Sequence, residues 1–194
     1  MSGGLYNPFR GGNPICGNPL DVARLRSLFT LPRDLAAQAE AELAMGRSSY
    51  ARLIHQEAVA LALMIRFPMR GSSLITLRTD EHLVRDHSGQ VTALSLQGGT
   101  GWTTMMALDR EASQLITRHV QAFRPGTRYG TASRWLFPSP RYDAPRSLTH
   151  LDHCVSQRVQ EATGVTVRFH MLRHVIVALL IDEGLHSLCP ERTT

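Results

Sequence analysis

The run SSYARLIHQEAVALALMIRF, residues 48 to 67, constrains the fold more than any other stretch of the chain. Its second half, AVALALMI, is apolar nearly all round a helix. Such a helix cannot lie at a surface, because each exposed large apolar side chain forfeits about 1.5–3 kcal/mol of burial. It is expected at the centre of the domain, with the other elements packed around it. Ser48 or Ser49 offers an N-cap hydroxyl, and Pro68 breaks the helix at its far end. Both this run and the second greasy run, VIVALLI at 175 to 181, fall far short of the ~18 residues a membrane span requires.

The elements expected around that helix follow from local punctuation. Residues 1 to 18 have turn composition and no period, and read as a flexible lead-in. LDVARLRSLFT (20 to 30) and PRDLAAQAEAELAMG (32 to 46) are helical, the second with Pro32 at its start and Gly46 at its stop. After PMRGSSLITLRTDEHL the period shifts to two. HLVRD, the turn HSG, QVTALSL, the Gly-rich QGGTG and WTTMMAL then make two or three short antiparallel strands. DREASQLITRHVQAF is helical again, with Asp109 as N-cap and Glu111 and Arg118 on its polar side.

A loop rich in Pro, Gly and Arg runs from Arg124 to Ser147, interrupted by the apolar WLF of 135 to 137. Next come a capped helix ending at Gly164, the short VTVR, and a last helix over FHMLRHVIVALLIDEG. No internal repeat or heptad appears. The fold class expected is α+β, mostly helical, with one small antiparallel meander. Residues 1 to 45 form a lead-in with remnant or linker helices, and 46 to 194 form the principal domain.

The chain carries a formal charge of +5, and all 21 of its basic residues are Arg. Guanidinium forks match phosphate oxygens in a bidentate way, so this composition suits a nucleic-acid partner. GC-rich codon usage produces the same bias. Cys16, Cys154 and Cys189 are odd in number and widely spaced, which points away from a disulfide framework and towards a reducing, cytoplasmic setting. The opening residues do not read as a signal peptide.

Three landmarks in order carry a resemblance to a known family. They are AVALALMIRFPMRGSSLITLRTDEHL, then RWLFPS, and finally FHMLRHVIVALLIDEG with its H-x-x-R-H pattern. Over roughly residues 20 to 185 the chain resembles the catalytic domain of the tyrosine recombinases, or phage-type integrases. The resemblance implies DNA strand cleavage and rejoining through a phosphotyrosine, with double-stranded DNA as partner, a homo-oligomer or full-length recombinase as companion, and neither cofactor nor metal. It carries the family's catalytic residues onto Arg70, His170 and Arg173.

The chemistry explains those residue types. Transesterification at phosphorus passes through a five-coordinate state whose non-bridging oxygens gain negative charge. Fixed donors such as Arg70 and Arg173 stabilise that charge by on the order of 3 kcal/mol each. His170, at i−3 of Arg173, lies on the same helical face and can hydrogen-bond the phosphate or pass it a proton. His174, i+4 from His170, is either a third donor on the phosphate side or a packing residue, and packing or a supporting bond is the expectation.

Two departures from the family pattern stand out. The family's nucleophilic Tyr lies several helical turns beyond the H-x-x-R helix. Here the residues after Gly184 read LHSLCPERTT, with no Tyr and with Pro190 against a helix, while Tyr6, Tyr50, Tyr129 and Tyr142 lie in other segments. The final helices of the fold are thus expected to be missing. The hairpin Lys that protonates the leaving oxygen in the family is absent as well. The polypeptide is therefore expected to be inactive in strand transfer, and a non-catalytic module binding DNA or a partner is the alternative.

Other constellations have plainer readings. Arg141, Arg146 and the arginines of RPGTRYGTASR are expected to be solvated charge, though they could track a DNA backbone. Trp102 and Trp135 are expected in core or hairpin packing. His150, His153 and Cys154, with His170 and His174 at helical spacing, form a less favoured zinc alternative.

Overall fold

In the computed structural model the described residues are 24–97, 101–126, 129 and 132–182. The lead-in of residues 1 to 18, the hairpin tip at 98–100 and the tail after Gly184 lie outside them, as do Cys16, Cys189, Tyr6 and Pro190. Among the described residues the architecture is α+β and mostly helical, with one small sheet. A 3-10 turn, Arg26–Phe29, occupies much of the described part of the helix expected over 20 to 30. Helix α1 (Leu31–Ala44) has Pro32 in its first turn, and Gly46 at φ +77° ends the helical path beyond it.

Helix α2 (Ser48–Arg66) is the predicted central element. From Ile54 to Ile65 every residue is buried. Its N-cap is Arg47 and no side chain caps it, so Ser48 and Ser49 lie inside the first turn rather than at the cap. That is a correction to the expected start. The other end behaves as expected, because the residue before a proline is pushed out of the helical region, and Phe67 adopts φ −132°, ψ 85°. Leu25, Leu28, Leu31, Leu35 and Ala39 share one core with α2, so the segment before residue 46 packs onto the rest.

After the short α3 (Gly71–Ile75) come β1 (Leu83–Arg85), β2 (Val91–Gln97) and β3 (Thr103–Ala107), an antiparallel sheet in the order β1-β2-β3. The β1–β2 turn is held by Asp86, whose Oδ1 accepts from the N–H groups of Ser88 and Gln90, with Gly89 at φ +82°. Val91 and Leu94 face the core. Trp102, however, is 54% exposed, which corrects its expected packing role; it precedes an edge strand whose outer residues face solvent. Trp135 is half-buried beneath the guanidinium of Arg78, 5.1 Å from its ring centre.

Helix α4 (Arg110–Arg118) is capped by Asp109, which accepts from the Ala112 N–H at 2.8 Å, and it continues as a π-turn over His119–Phe123. The apolar WLF is placed by backbone hydrogen bonds, Leu136 N–H to Leu77 O at 2.8 Å and Thr79 N–H to Arg134 O at 2.8 Å. Leu136 and Phe137 are thereby buried. Helix α5 (Leu148–Thr163) ends at Gly164 in the left-handed region, φ +75°, and α6 (Phe169–Asp182) follows. No helix among the described residues is long and apolar enough to cross a membrane.

Candidate phosphate-binding cleft

The ends of three segments meet at one cleft of about 280 Å³, whose walls include Arg70, Asp152, His170, Arg173 and His174. Arg70 is the extended residue that precedes α3, and its carbonyl accepts the Leu74 N–H at 3.0 Å. The following Gly71 lets α3 approach the other two helices. A Cβ there would stand 2.7 Å from Leu148 Cδ1 and 3.1 Å from Phe169 Cδ2.

Asp152 on α5 then fixes the start of α6. Its Oδ1 accepts the Phe169 N–H at 2.7 Å and the Ser156 hydroxyl at 3.3 Å, and its Oδ2 accepts from Arg168 at 3.2 Å. The carboxylate thus satisfies one of the N–H groups a helix start leaves open. It also sets the rotation of the turn that carries His170 and Arg173.

The three residues singled out from sequence, Arg70, His170 and Arg173, therefore share one cleft, and all three are exposed to it. Among the described residues no carboxylate lies within ion-pairing distance of Arg70 or Arg173. His174 departs from expectation: it is exposed and lines the same cleft instead of packing, because i+4 from His170 keeps it on the open face of α6. Two contributors had no local signal in the sequence. Gly71 matters only because Leu148 and Phe169 come close, and Asp152 looked like one more polar residue of an amphipathic helix.

The tyrosines sit elsewhere. No tyrosine among the described residues lines the cleft. The Tyr50 hydroxyl accepts from Arg158 at 3.3 Å, in a network where Arg158 also donates to the buried Glu57 at 2.9 Å.

The residues of the zinc alternative do not converge. His150 Nδ1 lies 3.1 Å from Cys154 Sγ and 3.4 Å from an Arg146 nitrogen, and His150 opens on a different cavity from His170 and His174. Burial pushes the Cys154 thiol up from its ordinary range, which opposes the thiolate that zinc would need. Among the described residues no group of three or more His, Cys, Asp or Glu is arranged to hold a metal ion.

A second buried feature had no precursor in the sequence reading. His55 of α2 stacks on His119, ring centres 5.4 Å apart, and on Phe123 at 3.9 Å. His119 Nε2 lies 3.2 Å from the Leu136 carbonyl. Burial holds the His55 imidazole down to about 4 and that of His119 to about 3, so both are neutral near pH 7. Arg146 is also unlike its expectation. It is 5% exposed, bonded to Gln56, and not a solvated charge, whereas Arg141 is exposed.

Comparison with protein-family models finds none that matches the chain, and comparison with curated proteins finds no match either.

Proposed function

We propose that the cleft formed by Arg70, His170 and Arg173 binds a DNA phosphodiester, in a domain of the tyrosine recombinase catalytic type, and that this polypeptide holds DNA without cutting it. The observation that carries the reading is that Arg70, distant in sequence, meets His170 and Arg173 of α6 on one open cleft. Two guanidinium forks with no carboxylate partner among the described residues suit the two non-bridging oxygens of a phosphodiester, and charge-assisted bonds of this kind contribute about 1.5–3 kcal/mol each. His170 and His174 add ring N–H donors beside them. The N-terminal end of α6 contributes its partial positive charge to the same spot. The one carboxylate among the described residues of the cleft, Asp152, is engaged by Arg168, Ser156 and the backbone, so its charge is partly offset.

Strand transfer needs a nucleophile and an acid for the leaving oxygen. This polypeptide has no lysine, and no tyrosine among the described residues stands at the cleft. Binding is the activity we assign, with double-stranded DNA as partner and a second copy or a full-length recombinase as companion in assembly. We take its setting to be the cytoplasm.

Fluorescence anisotropy with a labelled duplex tests this. Affinity should fall with salt along a log–log slope of about −0.9 per phosphate neutralised, and Arg70→Ala or Arg173→Ala should each make the slope shallower by about 1. Absence of binding at low salt, or variants indistinguishable from the parent, refutes the reading. A nicked suicide duplex should give no covalent adduct on a denaturing gel; a covalent band would refute the non-cutting part alone.

A further inference from the structure

A larger cavity, about 800 Å³, opens on the other side of the α5 N-terminus, between α2, the π-turn after α4 and the loop of 138 to 147. Among the described residues its walls hold four arginines and two histidines but no Asp or Glu. Arg146 is the unusual member. Its guanidinium is buried, donates to Gln56 Oε1, lies 3.4 Å from His150 Nδ1, and has an Nε with no hydrogen-bond partner. No carboxylate among the described residues lies within ion-pairing distance of it.

Burying a guanidinium without an anion is costly, so natural structures pair such groups. Arg52, half-buried, and Arg141, exposed, stand on the same walls and add charge of the same sign. An anion in this cavity would find three cations on its walls, of which Arg146 is held by Gln56 and Arg52 by Ser49. The remaining lining combines the polar Ser49, Gln56, Ser139 and Ser147 with an apolar wall. That wall includes Phe123, Leu53 and the ring of Tyr142, which is 68% exposed at the rim. A phosphate fills only a small part of this volume, whereas ligands of drug or nucleotide size occupy cavities of about 300–1,000 Å³.

We infer that this cavity is a second anion site that takes a nucleotide, its phosphate facing Arg52, Arg141 and Arg146 and its base against Tyr142 and the neighbouring apolar wall. The nucleotide arrives either free in solution or as the 5′-phosphorylated end of a strand; the recognising chemistry is the same. The site is separate from the Arg70 cleft and stands independently of the function proposed there.

Isothermal titration of the 194-residue polypeptide with ADP, inorganic phosphate, and a hexanucleotide carrying either a 5′-phosphate or a 5′-hydroxyl tests the inference. ADP, the phosphorylated strand, or both should bind at least about tenfold more tightly than inorganic phosphate. Binding of ADP identifies a free nucleotide as ligand, and binding of the phosphorylated strand alone identifies a strand end.

Arg52→Ala and Arg141→Ala should each weaken binding by about tenfold while leaving the unliganded Tm unchanged, since neither side chain is fully buried. Tyr142→Ala should weaken the nucleotide and not inorganic phosphate, and the Arg70→Ala and Arg173→Ala variants should bind as the parent does. Nucleotides that bind no better than phosphate overturn the inference, as does affinity untouched by Arg52→Ala and Arg141→Ala. So does loss of binding in the Arg70 or Arg173 variants, or a 5′-hydroxyl strand that equals the phosphorylated one when ADP does not bind.

Discussion

The carboxylate of Asp152 accepts the backbone N–H of Phe169 at 2.7 Å, so a residue in the first turns of α5 closes the first turn of α6. Two helices separated by the loop at 164–168 are thereby locked at the point where His170 and Arg173 leave the backbone. Asp152→Ala should cost about 1–2 kcal/mol in urea denaturation, in the range of other lost N-terminal caps, and Asp152→Asn about half as much because its amide oxygen still accepts. Equal losses in the two variants would show that the Arg168 pairing, and not the cap, carries the effect.

Gly71 should resist even the smallest side chain. Its Cβ would meet a Leu148 methyl and the Phe169 ring, and the methyl can yield more easily than the ring. Gly71→Ala is expected to cost about 1–2 kcal/mol. Leu148→Val in the same background should recover part of that loss, measured as the shift in the denaturation midpoint; a double variant no better than the single would place the conflict at Phe169.

The stacked imidazoles make stability depend on pH. His55 and His119 protonate in the folded chain only near about 4 and about 3, against 6.5 when unfolded, because burial disfavours the charged ring. With folded values below unfolded ones, the unfolded chain binds more protons once pH drops through 6.5. Their contribution is therefore complete above about 6.5 and is lost progressively towards 4 and 3. Urea midpoints should fall steadily between pH 7 and 4.5, and His55→Phe should flatten that slope. A slope unchanged by His55→Phe would assign the acid sensitivity to other groups.

Glu57, 4% exposed, depends on Arg158 at 2.9 Å for its counter-charge. Arg158→Met should cost about 3–5 kcal/mol by leaving a buried carboxylate alone, and adding Glu57→Leu should return much of it. A double-mutant cycle by thermal denaturation measures the coupling, and an additive outcome would mean that water already compensates Glu57.

What could be read from the chain alone was what neighbouring residues decide. A helix apolar on all sides had to be central, Pro32 and Gly46 bounded α1, Asp109 capped α4, and the change of period to two marked the sheet. Each of these rests on backbone restriction or on a repeat of 3.6 or 2 within a single segment. The cleft residues Arg70, His170 and Arg173 were legible only through the family resemblance that the three ordered motifs carry. Their meeting was not, because it depends on Gly71 admitting Leu148 and Phe169 at close range and on Asp152 reaching across to α6.

Tertiary packing alone decided the fate of the polar side chains. Arg146, by its sequence a surface charge, lies buried beside Gln56; Trp102, by its sequence a packing residue, faces solvent; and His55 and His119 are brought face to face from α2 and the turn after α4. A segment sets which of its faces is apolar, but whether a polar group on it is covered, paired or left to a ligand depends on what arrives opposite, and that is settled only when the whole core closes.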